Sequence, residues 1–220
     1  MRNKLLHLKI ALLAFALFFF SNSKAQLLYQ KVLVSDVGTS NSIGNANTSR
    51  NIAIAPNGMI GVVYVGSQGV RFAKSTNRGQ SFLPSIQLST ATSGEAEINL
   101  AANGNIYIVH GNKIYISEDE GNTFTSNTFS ATSVPIPHVT SYGDNVYITI
   151  GSGTGAAKVF RNFNNGKDTF LSYQIPGTHV FADVFADPAT GNVFVPSDNP
   201  VVSLHKSTTN ADTFTNIPVT

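Results

Sequence analysis

Seven polar or charged residues are the candidates for chemistry in this 220-residue sequence. Each lies at or just before the start of a short apolar run, where a purely structural chain could accept almost any residue. An arginine there can bind a carboxylate through paired, charge-assisted hydrogen bonds. Carboxylates and imidazoles can exchange protons with a ligand. The candidates are Arg50, Asn51, Glu95, Glu97, His138, His179 and Asp183.

The histidines do not form a metal-binding motif in the sequence. Four of the five lie beyond residue 25, at positions 110, 138, 179 and 205, and their separations match no common metal-ligand spacing. A structural or surface role is therefore favoured. The Gly-x-Gly-x-Gly stretch at 151–157 joins two runs of strand type and does not open a helix, so it predicts a hairpin loop and not a phosphate site. We expect neither a metal nor another cofactor.

The elements that position these candidates belong to a repeat. The octamer STNRGQSF at 75–82 matches SEDEGNTF at 117–124 and STTNADTF at 207–214, and NFNNGKDTF at 162–170 matches if Asp168 is one extra residue. The four copies start 42, 45 and 45 residues apart. Such constant spacing is typical of a repeated structural unit.

Each unit has the composition of four strands. A short apolar run, a turn rich in Gly, Asn or Asp and an alternating β-branched and aromatic run come first, as in NIAIAPNGMIGVVYVG at 51–66. A third such run precedes the octamer and a fourth follows it, which is the pattern of strands and hairpins. Four strands in about 45 residues, repeated, predict an all-β chain of β-propeller blades. The predicted blades are 50–90, 96–131, 137–176 and 179–220.

The octamer is predicted to turn the third strand into the fourth. Asp or Asn at its third position can accept hydrogen bonds from nearby backbone N–H groups, and Gly at its fifth can adopt positive φ. Its aromatic ring is expected to drop back into the core. The fourth copy has Thr209 and Ala211 at these positions, so we expect a distorted turn there. The structural residues are Ser75, Asn77, Gly79, Phe82, Ser117, Asp119, Gly121, Thr123, Phe124, Asn164, Gly166, Phe170 and Phe214.

The octamer resembles the Asp-box, or BNR repeat (S-x-D-x-G-x-T-W/F), of the sialidase-like β-propellers. The resemblance covers residues from about 27 to 220 and implies that the octamers lie on the rim, with ligands bound at the mouth of a central channel where the innermost strands start. It therefore implies a structural role for Asp119. The seven candidates then line either a merely hydrated channel or a glycan-binding site.

The resemblance does not extend to the catalytic residues of sialidases. That family clamps a sugar carboxylate with three arginines and uses an aspartate as acid/base and a tyrosine, assisted by a glutamate, as nucleophile. Arg50 matches the first arginine, but the Ile and Pro of the family's R-I-P motif are missing. The segment GSQGV at 66–70 has no acid where the aspartate is expected, and Arg71, Arg78 and Arg161 are misplaced for the triad.

The number of blades is predicted to exceed four. The segment LLYQKVLVS at 27–35 looks like the outer strand of a blade, yet the fourth unit already has its own outer strand at 213–219. We therefore expect an incomplete propeller of six or seven blades, with a closed four-bladed ring as the alternative.

The N-terminus has the pattern of a secretory signal peptide. A basic start, an apolar run at 10–20 and small residues before Ala25 predict cleavage after that residue and a secreted or cell-surface protein. The 11-residue run is too short to span a bilayer of about 30 Å, and we expect no membrane span after its removal. Without the signal, 10 basic residues remain against 12 acidic ones, and no basic cluster suggests nucleic acid. There is no cysteine.

These features together predict a secreted β-propeller that acts as a binding or scaffold module for a glycan or a protein partner, without catalysis of its own. The alternative is part of a sialidase-type glycoside hydrolase.

Overall fold

Four antiparallel sheets of four strands each make up the computed structural model, which describes residues 32–34, 50–130, 136–150, 157–175, 183–197 and 202–218. The predicted signal peptide, most of the 27–35 segment and His179 lie outside these residues. Residues 32–34 have no regular secondary structure. No helix in the described ranges is long and apolar enough to cross a membrane.

Each sheet is a simple meander in which consecutive strands pair. The first sheet contains β1 (Ile52–Ile54), β2 (Ile60–Gly66), β3 (Gly69–Ser75) and β4 (Ile86–Ser89), and the second contains β5 (Ala96–Leu100), β6 (Ile106–His110), β7 (Lys113–Ser117) and β8 (Thr125–Thr128). The third contains β9 (Pro137–Tyr142), β10 (Asn145–Ile150), β11 (Lys158–Asn162) and β12 (Leu171–Gln174), and the fourth contains β13 (Phe185–Ala186), β14 (Val193–Ser197), β15 (Ser203–Ser207) and β16 (Thr215–Pro218). The prediction of an all-β chain of four-stranded propeller blades is confirmed.

The sheets follow one another in chain order, joined through their innermost strands. β5 contacts β1 and β2, β9 contacts β5 and β6, and β13 contacts β9. Three apolar clusters fill the junctions between neighbouring sheets, because strand alternation presents apolar side chains on both faces of each sheet. Phe72 lies in the first junction, Ile114 in the second and Val159 in the third, each almost fully buried.

The octamers form the turns between the third and fourth strands, and we call them the first to fourth repeat turns. In the second, Ser117 Oγ accepts from the N–H of Gly121 at 2.8 Å and donates to Asp119 Oδ1 at 2.7 Å. Asp119 also accepts from the N–H of Thr123 at 2.9 Å and from its hydroxyl at 2.6 Å. These bonds link the end of one strand to the start of the next.

The glycine of the second repeat turn meets two requirements at once. Its φ is 75°, in the left-handed region. A Cβ at Gly121 would also lie only 2.5 Å from Cε1 of Phe72 in the preceding sheet. The residue just before it, Glu120, has φ 56°, a positive value that the sequence did not predict. The turn is therefore shaped both by its own backbone and by the neighbouring sheet.

The fourth repeat turn keeps its hydrogen bonds, contrary to the expected distortion. Ser207 Oγ accepts from the N–H of Ala211 at 3.0 Å, and Thr209 Oγ1 accepts from the N–H of Thr213 at 3.0 Å. A threonine hydroxyl thus replaces the usual carboxylate or amide oxygen. Ala211 adopts φ 61°, which is unfavourable for a residue with a Cβ.

The aromatic rings of the repeat turns are only partly buried, so they sit at the margin of the core and not within it. Three of them pack on a ring of the preceding sheet. The centroid distances are 5.2 Å for Phe124 and Phe72, 6.2 Å for Phe170 and Phe129, and 5.3 Å for Phe214 and Tyr173. The repeat turns therefore join neighbouring sheets as well as neighbouring strands.

The first and fourth sheets share no strand pair within the described residues. On the outward face of the first sheet, Ile52 and Ile54 remain 60% and 68% exposed. A closed four-bladed ring is not what the structure shows, and the number of six or seven blades stays a prediction.

Candidate functional site

Four of the predicted site residues meet where the innermost strands begin. Arg50 precedes β1, Glu97 and His138 lie near the starts of β5 and β9, and Asp183 precedes β13. Each comes from a different sheet. We call them the strand-start cluster. Because successive strands run in opposite directions, the cluster lies at the opposite edge of the sheets from the repeat turns.

Glu97 is the centre of the cluster and is fully buried. Its Oε1 accepts from Nη2 of Arg50 at 2.6 Å, from Nε of Arg50 at 3.1 Å and from the N–H of Val139 at 3.0 Å. Its Oε2 lies 2.7 Å from Nδ1 of His138 and accepts from the N–H of Arg50 at 3.3 Å. Both oxygens are thus saturated, as a buried charge requires.

The electrostatics keep this buried carboxylate ionised. Burial alone would raise the pKa of Glu97, but the hydrogen bond from His138, the charge of Arg50 and the N–H of Val139 outweigh it and hold the pKa below its usual value. The carboxylate is therefore an anion that holds three sheets together.

Arg50 and Asp183 are the members of the cluster that reach solvent. The side chain of Arg50 is 41% exposed, although its Nη2 also donates to the carbonyl of Val139 at 2.7 Å. The side chain of Asp183 is 52% exposed, and its Oδ1 lies 3.8 Å from Nη2 of Arg50 and 3.7 Å from Nδ1 of the buried His138. A guanidinium and a carboxylate thus lie side by side at this edge.

The remaining predicted site residues have other surroundings. Asn51 donates its amide to the carbonyl of Ala96 at 2.8 Å, a bond between the first and second sheets. Glu95 is buried. His179 lies outside the described residues. The structure also adds the backbone of Val139, which both donates to Glu97 and accepts from Arg50; no feature of the sequence points to it.

The distances within the cluster would suit a metal ion, but the hydrogen bonds of its residues would not. One ligand atom from each of Glu97, His138 and Asp183 lies within 4.8 Å of the others. However, both oxygens of Glu97 already accept hydrogen bonds, and the guanidinium of Arg50 lies beside them. A cation would have to displace these donors and face the charge of Arg50. The hydrogen-bonded network accounts for the geometry without a metal.

The acids of the repeat turns have structural partners at the opposite edge. The hydrogen bonds from the hydroxyl and N–H of Thr123 and from Ser117 lower the pKa of Asp119. Glu118 pairs with Lys167 of the third repeat turn at 2.7 Å. Neither acid lies near the strand-start cluster.

Comparison with known proteins supports the fold only. No family model and no curated protein matches the chain. A crystal structure of a protein of unknown function from Dyadobacter fermentans DSM 18053 is similar, with a TM-score of 0.56 and 14% identity over 77% of this chain and 63% of that one. The chain therefore spans less than two thirds of the length of that protein.

Intramolecular trans-sialidases are more distant. The enzyme from Ruminococcus gnavus matches with a TM-score of 0.46 and 15% identity, covering 68% of this chain and 38% of that one. The leech enzyme matches with a TM-score of 0.47 and 15% identity, covering 72% and 30%.

Proposed function

We propose that this protein is a secreted, non-catalytic binding module that recognises neutral glycans at the strand-start cluster. The observation that carries the proposal is the partly exposed side chain of Arg50 next to the partly exposed side chain of Asp183, with 3.8 Å between Nη2 and Oδ1. A sugar hydroxyl both donates and accepts hydrogen bonds. Two neighbouring hydroxyls can therefore accept from Arg50 and donate to Asp183.

The local charge favours a neutral sugar over an acidic one. The positive charge of Arg50 is already compensated by Glu97, which binds it at 2.6 Å. A ligand carboxylate approaching the guanidinium would also meet the negative charge of Asp183. Like charges at such distances repel, so an acidic sugar pays a penalty that a neutral one avoids.

The experiment is a glycan array of neutral oligosaccharides and their sialylated counterparts, followed by calorimetric titration of the best neutral ligand. We expect neutral glycans to bind. Asp183→Ala should weaken binding at least about tenfold, a loss of about 1.4 kcal/mol. Asp144→Ala is the matched control because Asp144 is exposed in the turn between β9 and β10, at the opposite edge. Binding to sialylated glycans alone, or no glycan binding, would contradict the proposal.

The competing proposal is part of a sialidase-type glycoside hydrolase, and the position of Arg50 at the start of the first innermost strand favours it. The two proposals separate in an assay with a fluorogenic sialoside. Hydrolysis that is lost in Arg50→Ala, while the variant keeps its fold by circular dichroism, would favour the enzyme.

We also propose that the protein is exported, on the basis of the signal-peptide pattern in the sequence. Intact-mass measurement of the exported protein should find Gln26 at its N-terminus, because the predicted cleavage follows Ala25.

A further inference from the structure

A cavity of about 240 Å³ lies between the outer part of the first sheet and the second repeat turn. On one side it is lined by Leu83, Pro84 and Ile86, which belong to β4 and the segment that enters it. On the other side it is lined by Gly121 and Asn122 of the second repeat turn. Leu83 is 46% exposed, so the cavity opens to solvent between these two walls.

One outer-strand position faces the following sheet in each of the three junctions. It pairs with the residue three positions before the repeat turn, and side chains that pair in an antiparallel sheet lie on the same face. The residues at this position are Ile86 in the first sheet, Asn127 in the second and Tyr173 in the third. Tyr173 packs on Phe214 of the next repeat turn, with 5.3 Å between the ring centroids. Ile86 lines the cavity instead.

In the second junction a carboxamide joins the outer strand to the next repeat turn. Nδ2 of Asn127 donates to the carbonyl of Gly166 at 2.8 Å and to that of Asp168 at 2.9 Å. Gly166 is the fifth residue of the third repeat turn, as Gly121 is of the second. Because isoleucine has no polar hydrogen, the carbonyl of Gly121 receives no such bond from Ile86. The cavity therefore lies between two residues whose counterparts are joined by a carboxamide.

An additional residue builds the apolar wall of the cavity. Ile86 comes four residues after Phe82, one more than the corresponding separation in the second sheet. The N–H of Leu83 donates to the carbonyl of Lys74 at 2.9 Å, which holds this segment against β3. Pro84 follows with a fixed φ and no N–H of its own. The wall is therefore stiff and presents apolar side chains.

Lys74 adds a hydrogen-bond donor to the lining of the cavity. Its Nζ donates to the carbonyl of Glu120 at 2.8 Å and to Oδ1 of Asn122 at 2.7 Å. An ammonium group has three N–H groups, and within the described part of the chain these bonds use two of them. The third can donate to a ligand oxygen. A donor and an acceptor, the carbonyl of Gly121, thus stand beside an apolar wall.

We propose that this cavity binds small neutral primary carboxamides that carry one apolar group, such as aromatic amides. The ligand's NH₂ group donates to the carbonyl of Gly121, its oxygen accepts from Lys74, and its apolar group packs against Leu83, Pro84 and Ile86. A cavity of about 150 Å³ holds a benzene ring, and pockets for drug-sized ligands begin at about 300 Å³. The volume of about 240 Å³ therefore suits one ring with one carboxamide. The strand-start cluster lies at the opposite edge of the sheets, so this site is independent of glycan binding.

Binding is tested by fluorine NMR titration of 4-fluorobenzamide with the full chain. For a ligand of about ten non-hydrogen atoms we expect a Kd of about 0.1–1 mM. The matched probe is 4-fluoroacetophenone, in which a methyl group replaces the NH₂ group while the ring and the oxygen remain. It should bind about fivefold more weakly, because it cannot donate to the carbonyl of Gly121. Equal affinity of the two probes would refute the proposal.

Two variants locate the site. Ile86→Asn introduces the side chain that bridges the second junction, so its carboxamide should occupy the cavity and weaken 4-fluorobenzamide binding at least about tenfold. Ile217→Asn is the matched control, because Ile217 has the equivalent position in the fourth sheet, is 40% exposed and does not line the cavity. Lys74→Met keeps the aliphatic stem but removes the donor, and should weaken binding about fivefold.

Circular dichroism verifies that each variant is folded, and Lys74→Met tests the site independently of Ile86→Asn. Binding that is weakened by both of these variants and unchanged in Ile217→Asn would support the proposal. Undiminished binding in folded Ile86→Asn, or no binding of 4-fluorobenzamide at millimolar concentration, would overturn it.

Discussion

Replacing Glu97 by glutamine should strongly destabilise the protein, although the two side chains have nearly the same shape. The two carboxylate oxygens accept from Arg50, His138 and the N–H of Val139, and the side chain is fully buried. Glutamine has one oxygen and one NH₂ group. In either orientation the NH₂ group faces donors, so about two hydrogen bonds are lost and the charge of Arg50 loses its buried counterion.

The magnitude follows from these losses. A hydrogen bond to a charged group contributes about 1.5–3 kcal/mol, and breaking a buried ion pair costs about 3–5 kcal/mol. We therefore expect Glu97→Gln to lower the free energy of unfolding by about 3 kcal/mol or more. For a domain of this size about 3 kcal/mol corresponds to a Tm decrease of about 6–12 °C.

The assay is differential scanning calorimetry, with urea unfolding as a second measurement. Glu118→Gln is the matched control, because it makes the same chemical change in a pair with Lys167 whose side chains are 48% and 43% exposed. Such surface pairs contribute less than about 1 kcal/mol. If Glu97→Gln and Glu118→Gln lower the Tm equally, the buried carboxylate does not hold the sheets together and the reasoning is refuted.

Four further predictions concern pH, packing and a hydrogen bond between sheets. The stability that Glu97 contributes should be complete above its unfolded pKa, near 4.5, and should be lost as the pH falls to its lower folded pKa. The difference in Tm between the wild type and Glu97→Gln should therefore decrease from pH 7 to pH 3. Gly121→Ala should lower the free energy of unfolding, measured in urea, by about 2–4 kcal/mol. Left-handed backbone strain contributes about 1 kcal/mol of this, and overpacking against Phe72 contributes about 1–3 kcal/mol. Ala211→Gly should leave the free energy of unfolding within about 0.5 kcal/mol of the wild-type value, because relief of about 1 kcal/mol of backbone strain offsets about 0.8 kcal/mol of lost methyl burial. If Gly121→Ala and Ala211→Gly changed this free energy equally, the packing account would be contradicted. Tyr107→Phe should cost about 1 kcal/mol by thermal unfolding, because the hydroxyl donates to Oδ1 of Asn165 in the third repeat turn at 2.9 Å, and no change would show that this bond between sheets is not stabilising.

Features that depend on neighbours in the chain could be predicted. The turn bonds of Ser117, Asp119 and Thr123 span two to four residues, so the octamer already contains every partner that it needs. The four-stranded sheets could also be predicted from the sequence, because each strand pairs with the next along the chain. The fourth repeat turn shows a limit of this reasoning, since a missing Asp and Gly did not predict that Thr209 and Ala211 would keep the same bonds.

The place of the candidate site in the fold could be predicted from the sequence, but the hydrogen bonds and ion pairs among its residues could not. The starts of the innermost strands were expected to meet, and Arg50, Glu97, His138 and Asp183 do lie together there. The sequence did not distinguish the buried Glu97 and His138 from the exposed Arg50 and Asp183. It also gave no reason to place Asn51 in a bond to the backbone of the next sheet.

The amino-acid sequence by itself determined the strands, their order within each sheet and the turns, because these depend on alternation and on hydrogen bonds between near neighbours. The tertiary structure decided which residues form the strand-start cluster. Arg50 and Glu97 are 47 residues apart, and Glu97 and His138 are 41 apart. Contacts between residues so distant in the chain exist only after the sheets have packed side by side.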